Sequence, residues 1–286
     1  MKYKKIEINN YNIHLIKTKK FKTVTIEIMF KNKLNKKEVT KANFLTSMLT
    51  YTTKKYNTKH LLSIKEEDLY GLKLFNENYR LGSYYISKIG MVLLEETYSE
   101  KDIIKQSIEL LKEIIFNPNV IDNKFDIDSF NVVKNDIKSE IERIKEDSKR
   151  TSLLNMLEKM DSNSPISTVE SGYLEDLENL TNENLYEYYK DFINNSEIDI
   201  YVAGNIKDDI VDLFKEYIYF NKKNEIKDNP IVKEKLDVKK QIIMENDNTN
   251  QGKLSIGLRL SNLNDFDRNY SLIMYNVILG LGTDSK

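Results

Sequence analysis

The chain of 286 residues contains no cysteine and no tryptophan, and it has only two histidines. The absence of cysteine excludes disulfides, thiolate nucleophiles and cysteine-ligated zinc sites together, and it fits a reducing compartment. A catalytic zinc takes three protein ligands drawn from His, Cys and carboxylate side chains. A zinc site here would therefore need both His14 and His60, or carboxylates alone. We expect His14 to be an ordinary strand side chain and His60 a surface imidazole, neither of them bound to a metal.

The sequence also has almost no net charge and no long apolar run. Lys and Arg number 44 against 45 Asp and Glu, giving a formal net charge of −1 with no basic block, so the sequence predicts no nucleic-acid partner. No run approaches the ~20 apolar residues that cross a bilayer, and the opening residues lack the apolar core of a signal peptide. We therefore expect a cytoplasmic protein that does not bind membranes.

Glycine and proline are scarce, at 9 and 3 residues, which favours long regular elements over turn-rich sandwiches. Alternating apolar residues predict strands, the first two forming a hairpin, at 6–17, 23–30, 73–78, 84–94 and 198–203. Helical periodicity predicts helices at 41–52, 59–67, 101–116, 128–145, 149–159, 182–193 and 208–219, with Thr181 as the N-cap of the helix over 182–193. The predicted fold class is α+β, a mixed or antiparallel sheet with helices packed on one face.

A weak internal repeat suggests a second module. A shift of 230 residues pairs Val24 with Leu254 and Ile26 with Ile256, and both copies are followed by a predicted helix. The segment 226–240 is charged, aperiodic and contains Pro230, as is typical of a linker. We therefore predict a complete α+β module over 1–225, a linker over 226–240, and the beginning of a second, truncated module over 241–286, with a strand at 253–260.

Two glycine segments and a tyrosine cluster have ordinary explanations. Gly280 and Gly282 follow a helix without the spacing of a phosphate loop, and the single Gly204 after a strand cannot cradle a pyrophosphate. The tyrosines at 186, 188 and 189 fall at helical spacing beside apolar residues, which favours packing in the core and at its rim.

The segment KANFLTSMLTYTTKKY, residues 41–56, is the most informative stretch. An apolar stripe at helical spacing, formed by Phe44, Leu45, Met48 and Leu49, predicts an amphipathic helix. Its opposite face carries Asn43, Thr46 and Ser47 at positions i, i+3 and i+4, where a helix would place two zinc ligands and a general base. We expect these three side chains to face a groove, partly solvated and hydrogen-bonded to each other or to water.

Several segments occur in an order that resembles one known family. They are NFLTSMLTYTTKKY, LYG at 69–71, a long helix containing NDIKSEIERI, SGYLEDLENLTNENLYEYYKDFI and IYVAGNI. Together they resemble the insulinase/pitrilysin family of zinc peptidases, the inverzincins, over essentially the whole chain. They are most similar to its non-catalytic bacterial members, which accompany an active paralogue.

The resemblance implies that the catalytic helix has lost its chemistry. Active members carry H-x-x-E-H there, with two zinc-binding histidines and a glutamate that activates water. Here those positions hold Asn43, Thr46 and Ser47, and Glu140 is a candidate remnant of the third ligand, so no catalytic residue, metal or cofactor is expected.

The implied function is a catalytically inactive subunit, not an enzyme by itself. It would pair as a heterodimer with an active zinc-peptidase paralogue and contribute to the binding or processing of peptides or unfolded polypeptides. The alternative is a free-standing structural or protein-interaction module on the same fold.

Overall fold

A computed structural model describes residues 1–8, 10–99, 102–221, 224–226, 241–246, 251–260 and 263–281. The strands in these ranges are β1 Lys2–Ile8, β2 Tyr11–Lys17, β3 Thr23–Lys33, β4 Lys73–Leu81, β5 Tyr84–Leu94, β6 Val120–Ile121, β7 Lys124–Phe125 and β8 Glu197–Gly204. The helices are α1 Val39–Leu49, α2 Lys59–Asp68, α3 Ile103–Phe116, α4 Ile127–Glu146, α5 Ser148–Met160, α6 Leu174–Glu178, α7 Asn182–Asn195, α8 Ile210–Tyr217 and α9 Leu272–Asn276. None of these helices is long and apolar enough to cross a bilayer.

In the described residues six strands form one mixed sheet in the order β1-β2-β8-β3-β5-β4. Only β2 and β8 run parallel, with Ile13 opposite Ile200, and the other neighbours are antiparallel. The predicted hairpin between residues 6–17 and 23–30 is wrong. The first of these segments is itself a hairpin, β1 with β2, and β8 lies between β2 and β3 because it pairs with both.

Alternation along the strands separates a buried face of the sheet from an open one. Ile26, Ile28 and Phe30 of β3 are fully buried, and their neighbours in sequence are half-buried. The buried side chains join those of α1, α3, α4 and α7 in one apolar cluster, so helices cover one face of the sheet and the α+β prediction is confirmed. On the open face, His14 stacks on Tyr201 with ring centroids 4.3 Å apart.

The predicted helices exist, with ends shifted by a few residues. Thr181 is the N-cap of α7, as predicted: its hydroxyl accepts from the N–H of Asn184, and the Asn184 side chain accepts from the N–H of Thr181. This reciprocal pair satisfies two N–H groups that a helix start otherwise leaves free.

The C-terminal described segment differs from the prediction. Residues 253–260 pair with no strand in the described part of the chain and instead lie along α5, where Ser255 bonds to Ser152 and Gly257 contacts Met160. The alternate side chains, including Leu254 and Ile256, are exposed. The helix predicted after this segment is present as α9, extended by π-helical turns on both sides. Residues 227–240 of the predicted linker lie outside the described residues, and the division into modules stays a prediction.

Candidate functional site

Helix α1 has one face in the core and one against β4. Phe44, Leu45, Met48 and Leu49 are at most 1% exposed, which confirms the predicted apolar stripe. Phe44 stacks on Phe130 of α4 with centroids 4.7 Å apart. This packing fixes the rotation of α1 about its axis and so determines where its polar residues point.

The three polar positions on α1 are hydrogen-bonded, but they are less solvated than the sequence suggested. Thr46 is fully buried and Asn43 nearly so, and only Ser47 is half-exposed. The expectation of partly solvated side chains is therefore wrong for the first two, because β4 and the loop at Ser171 cover them. Asn43 Nδ2 donates to the Ser171 carbonyl at 3.1 Å.

Two asparagines of β4, which the sequence analysis missed, complete this cluster. Asn78 Nδ2 donates to Thr46 Oγ1 at 2.7 Å and to Asn43 Oδ1 at 3.1 Å. Asn76 Nδ2 donates to Ser47 Oγ at 3.2 Å and to Thr46 Oγ1 at 3.3 Å. The signal in the sequence is Asn76-Glu77-Asn78, because residues two apart on a strand share a face.

The Thr46 hydroxyl is the centre of the cluster. Its O–H donates within the helix to the carbonyl oxygens of Asn43, at 3.1 Å, and Ala42, at 3.3 Å, while its oxygen accepts from both asparagine amides. A hydroxyl offers one donor and two acceptor lone pairs. All of them are used, so this oxygen has no lone pair left for a metal ion.

Glu140 of α4 lines the same cavity as the exposed end of this cluster. The cavity has a volume of about 280 Å³, and its lining includes Ser47, Asn76, Lys59 and Asp136 together with Glu140. Of the four positions that the sequence singled out, Ser47 and Glu140 thus line the same cavity. Asn43 and Thr46 lie behind it, against β4.

The described residues do not fit a zinc ion at this position. They contain no group of three or more His, Cys, Asp or Glu side chains arranged to hold a metal, and the amide and hydroxyls on α1 are neutral groups already bonded to backbone carbonyls and to the β4 asparagines. His60 is an exposed residue of the first turn of α2, as expected. His14 is buried on the sheet, with Tyr3 at 2.7 Å from Nδ1 and Asp199 at 2.9 Å from Nε2.

The tyrosine cluster of α7 has the packing role that the sequence predicted. Tyr189 is buried and donates to the Ile115 carbonyl at 2.8 Å, and Tyr186 stacks on it. Burial raises the pKa of the Tyr189 hydroxyl well above its usual range, so it serves as a neutral donor that joins α7 to α3.

The outer edge of β4 runs beside the cavity, and carboxylates occupy its two ends. The N–H of Arg80 points away from β5 and donates to Glu170 Oε1 at 3.0 Å. Because N–H groups alternate along a strand, those of Leu74, Asn76 and Asn78 point to the same edge. The Glu66 carboxylate lies beside the Leu74 N–H in a looser contact. Burial raises the pKa of Glu66, more than Lys59 and that N–H lower it.

Asn76 and Asn78 are left as the open part of this edge. In the part of the chain that the structure describes, no group bonds their backbone N–H. An extended polypeptide could pair with these two residues while its side chains reach the cavity lined by Ser47 and Glu140.

Comparisons with known proteins agree on the architecture. The family model described as the Peptidase M16 inactive domain matches residues 179–286. The "Probable inactive metalloprotease YmfF" of Bacillus subtilis is 26% identical over 278 residues, which are 96% of this chain and 65% of that protein.

Two solved structures are similar as well. A conserved protein from Enterococcus faecalis V583 is 26% identical with a TM-score of 0.74, over 78% of this chain and 53% of that one. A peptidase M16 inactive domain from Pseudomonas fluorescens is 13% identical with a TM-score of 0.62, over 79% and 53%. The chain thus spans about half the length of these structures and about two thirds of YmfF.

Proposed function

We propose that this chain, which is similar to inactive members of the insulinase-like M16 peptidase family, binds extended peptides without cleaving them, beside an active zinc-peptidase paralogue. The observation that carries this proposal is the buried hydrogen-bond cluster of α1 and β4. It stands where the family resemblance places H-x-x-E-H, and it leaves Thr46 Oγ1 no lone pair for a metal.

Peptide binding is supported by the position of the β4 edge. Strand addition supplies backbone hydrogen bonds without regard to sequence, and side-chain pockets then add selectivity. The open edge at Asn76–Asn78 offers the backbone hydrogen bonds, and the cavity lined by Ser47 and Glu140 offers a side-chain pocket.

The binding test uses a fluorescein-labelled unfolded polypeptide of about 20 residues and the whole chain. We expect saturable anisotropy and, in the same mixture, slower hydrogen exchange at the amides of Asn76 and Asn78. The amides of Phe75 and Glu77 pair with β5 already, so they are the internal control and should change little. Saturable binding without protection at Asn76 and Asn78 would contradict the proposed edge, and no binding would contradict the function.

The pairing test adds a paralogue that carries H-x-x-E-H. We expect the two chains to co-purify, the mixture to cleave the polypeptide, and this chain alone to leave it intact. Co-purification without any peptide binding or cleavage would favour the other candidate, a free-standing interaction module on the same fold.

The compartment belongs to the proposal too. The lack of cysteine supports a cytoplasmic protein, and the balanced charge gives no support to nucleic-acid binding. Fractionation of the native host with a tagged chain tests the location, and recovery from the membrane or periplasmic fraction would contradict it.

A further inference from the structure

The two carboxylates at the ends of the β4 edge have a consequence for the peptide. Glu170 accepts from Arg80 N–H at 3.0 Å and Glu66 lies beside Leu74 N–H, so an added strand that reaches both residues meets a carboxylate at each end. Residues 74 and 80 are six positions apart, which is about 20 Å along a strand. A peptide that covers this length must displace both carboxylates.

A displaced carboxylate needs a new partner, because both side chains are half-buried and an uncompensated charge there is costly. Along this edge and cavity the described residues include the further carboxylates Asp136 and Glu140 and the cations Lys59, Lys73 and Arg80, so carboxylates outnumber cations once Glu66 and Glu170 are counted.

The acidic character extends behind the edge. Tyr85 donates its hydroxyl hydrogen bond to the Glu170 carbonyl at 2.7 Å. Its pKa is raised first by burial, then by Tyr188 and by the carboxylates of Glu170 and Glu140. The carboxylates of Glu170 and Glu140 therefore both lie near the buried Tyr85 hydroxyl.

We propose that Glu66 and Glu170 select extended peptides that carry two basic side chains about six residues apart. This inference rests on the proposed peptide binding at the β4 edge and names its substrate class. On binding, the peptide backbone takes the N–H groups of Leu74 and Arg80, and its two basic side chains pair with the freed carboxylates.

The same two carboxylates also have a simpler role, since charged groups at an edge strand prevent unwanted pairing between chains. That role alone would make every peptide bind weakly, whatever its charge. Substitution by glutamine separates the two roles, because a glutamine side-chain oxygen still accepts from the backbone N–H but carries no charge.

The experiment compares three labelled dodecapeptides of one neutral, extended-prone sequence with Lys, Gln or Glu at two positions six apart. We expect the Lys peptide to bind about five- to tenfold tighter than the Gln peptide, the gain of two partly exposed ion pairs, and the Glu peptide to bind most weakly. The Lys preference should shrink at 0.5 M salt. In the double variant E66Q/E170Q the Lys and Gln peptides should bind equally.

A matched control is Glu187→Gln, which removes an exposed α7 carboxylate paired with Lys190, away from β4, and should keep the full preference. In the single charge-reversed variant Glu170→Lys, the preference for the Lys peptide over the Glu peptide should be lost, and in E66K/E170K it should reverse. Equal binding of all three peptides to the unmodified chain, or a Lys preference unchanged in E66Q/E170Q, would overturn the inference and leave the proposed function standing. Failure of all three peptides to bind would overturn both.

Discussion

The Thr46→Val substitution tests whether the α1–β4 cluster stabilises the fold. Valine keeps the shape of threonine and replaces only the hydroxyl by a methyl group. Thr46 is fully buried, so water cannot replace the hydroxyl. The shortest bond in the cluster, from Asn78 Nδ2 at 2.7 Å, would be lost.

The expected loss of stability follows from counting donors. Asn78 keeps one bond, to Asn43 Oδ1, so one of its two amide hydrogens becomes unpaired in a buried position, at a cost of ~1–3 kcal/mol. Asn76 loses a longer bond of 3.3 Å but keeps Ser47. The added methyl offsets up to ~0.8 kcal/mol. We expect the free energy of unfolding to fall by about 1–2 kcal/mol.

Urea denaturation measures this difference as a lower midpoint at an unchanged m-value. Thr46→Ser keeps the hydroxyl and should lose less than Thr46→Val. Leu45→Ala, a core truncation in the same helix, should lose ~2–5 kcal/mol. The double variant T46V/N78A should lose less than the sum of its parts, because the two residues share the bond. A Thr46→Val variant as stable as the original chain, or additive losses in the double variant, would refute the reasoning.

Two further predictions concern protons and metal. Hydrogen bonds from the Thr97 hydroxyl and the side-chain amide of Asn205 hold the pKa of Glu95 below its ordinary value of 4.5. The ionised Glu95 carboxylate therefore stabilises the fold above pH 4.5, and this stabilisation is lost as the pH falls through the lowered pKa. Urea midpoints of Glu95→Gln should thus lie below those of the original chain at pH 7 and approach them as the pH falls below 4.5, whereas a constant difference would count against this carboxylate. For the triple variant N43H/T46E/S47H we expect weaker than micromolar zinc binding in competition with a chelating dye, since the surrounding groups that orient ligands are amide donors; tight zinc binding would show that the cluster is easily converted.

The sequence predicted those parts of the molecule that depend on short-range patterns. The apolar stripe from Phe44 to Leu49 lies in the core, and Thr181 caps α7, because helical periodicity and capping involve residues within about one turn. These patterns placed α1 correctly and thereby identified which of its residues leave the core.

Long-range pairing was beyond that kind of reasoning. Strand β8 lies between β2 and β3 although about 180 residues separate it from either, and nothing in the alternation of β2 distinguishes a hairpin neighbour from a distant parallel one. The same lack of long-range information made the solvation of the polar side chains of α1 unpredictable. Whether Thr46 faces water or protein depends on β4, and the Asn76-Glu77-Asn78 pattern becomes informative only once β4 is known to lie against α1.

The cluster also explains why a metal site would not return with its ligands alone. A metal ion needs lone pairs directed at one point, whereas here the β4 groups bonded to the Thr46 and Ser47 hydroxyls are N–H donors, Asn76 Nδ2 and Asn78 Nδ2. Histidine or glutamate placed on α1 would accept hydrogen bonds from those amides instead of being free for zinc. The two strand asparagines therefore oppose metal binding at this helix, and a metal site there would require changes on β4 as well as on α1.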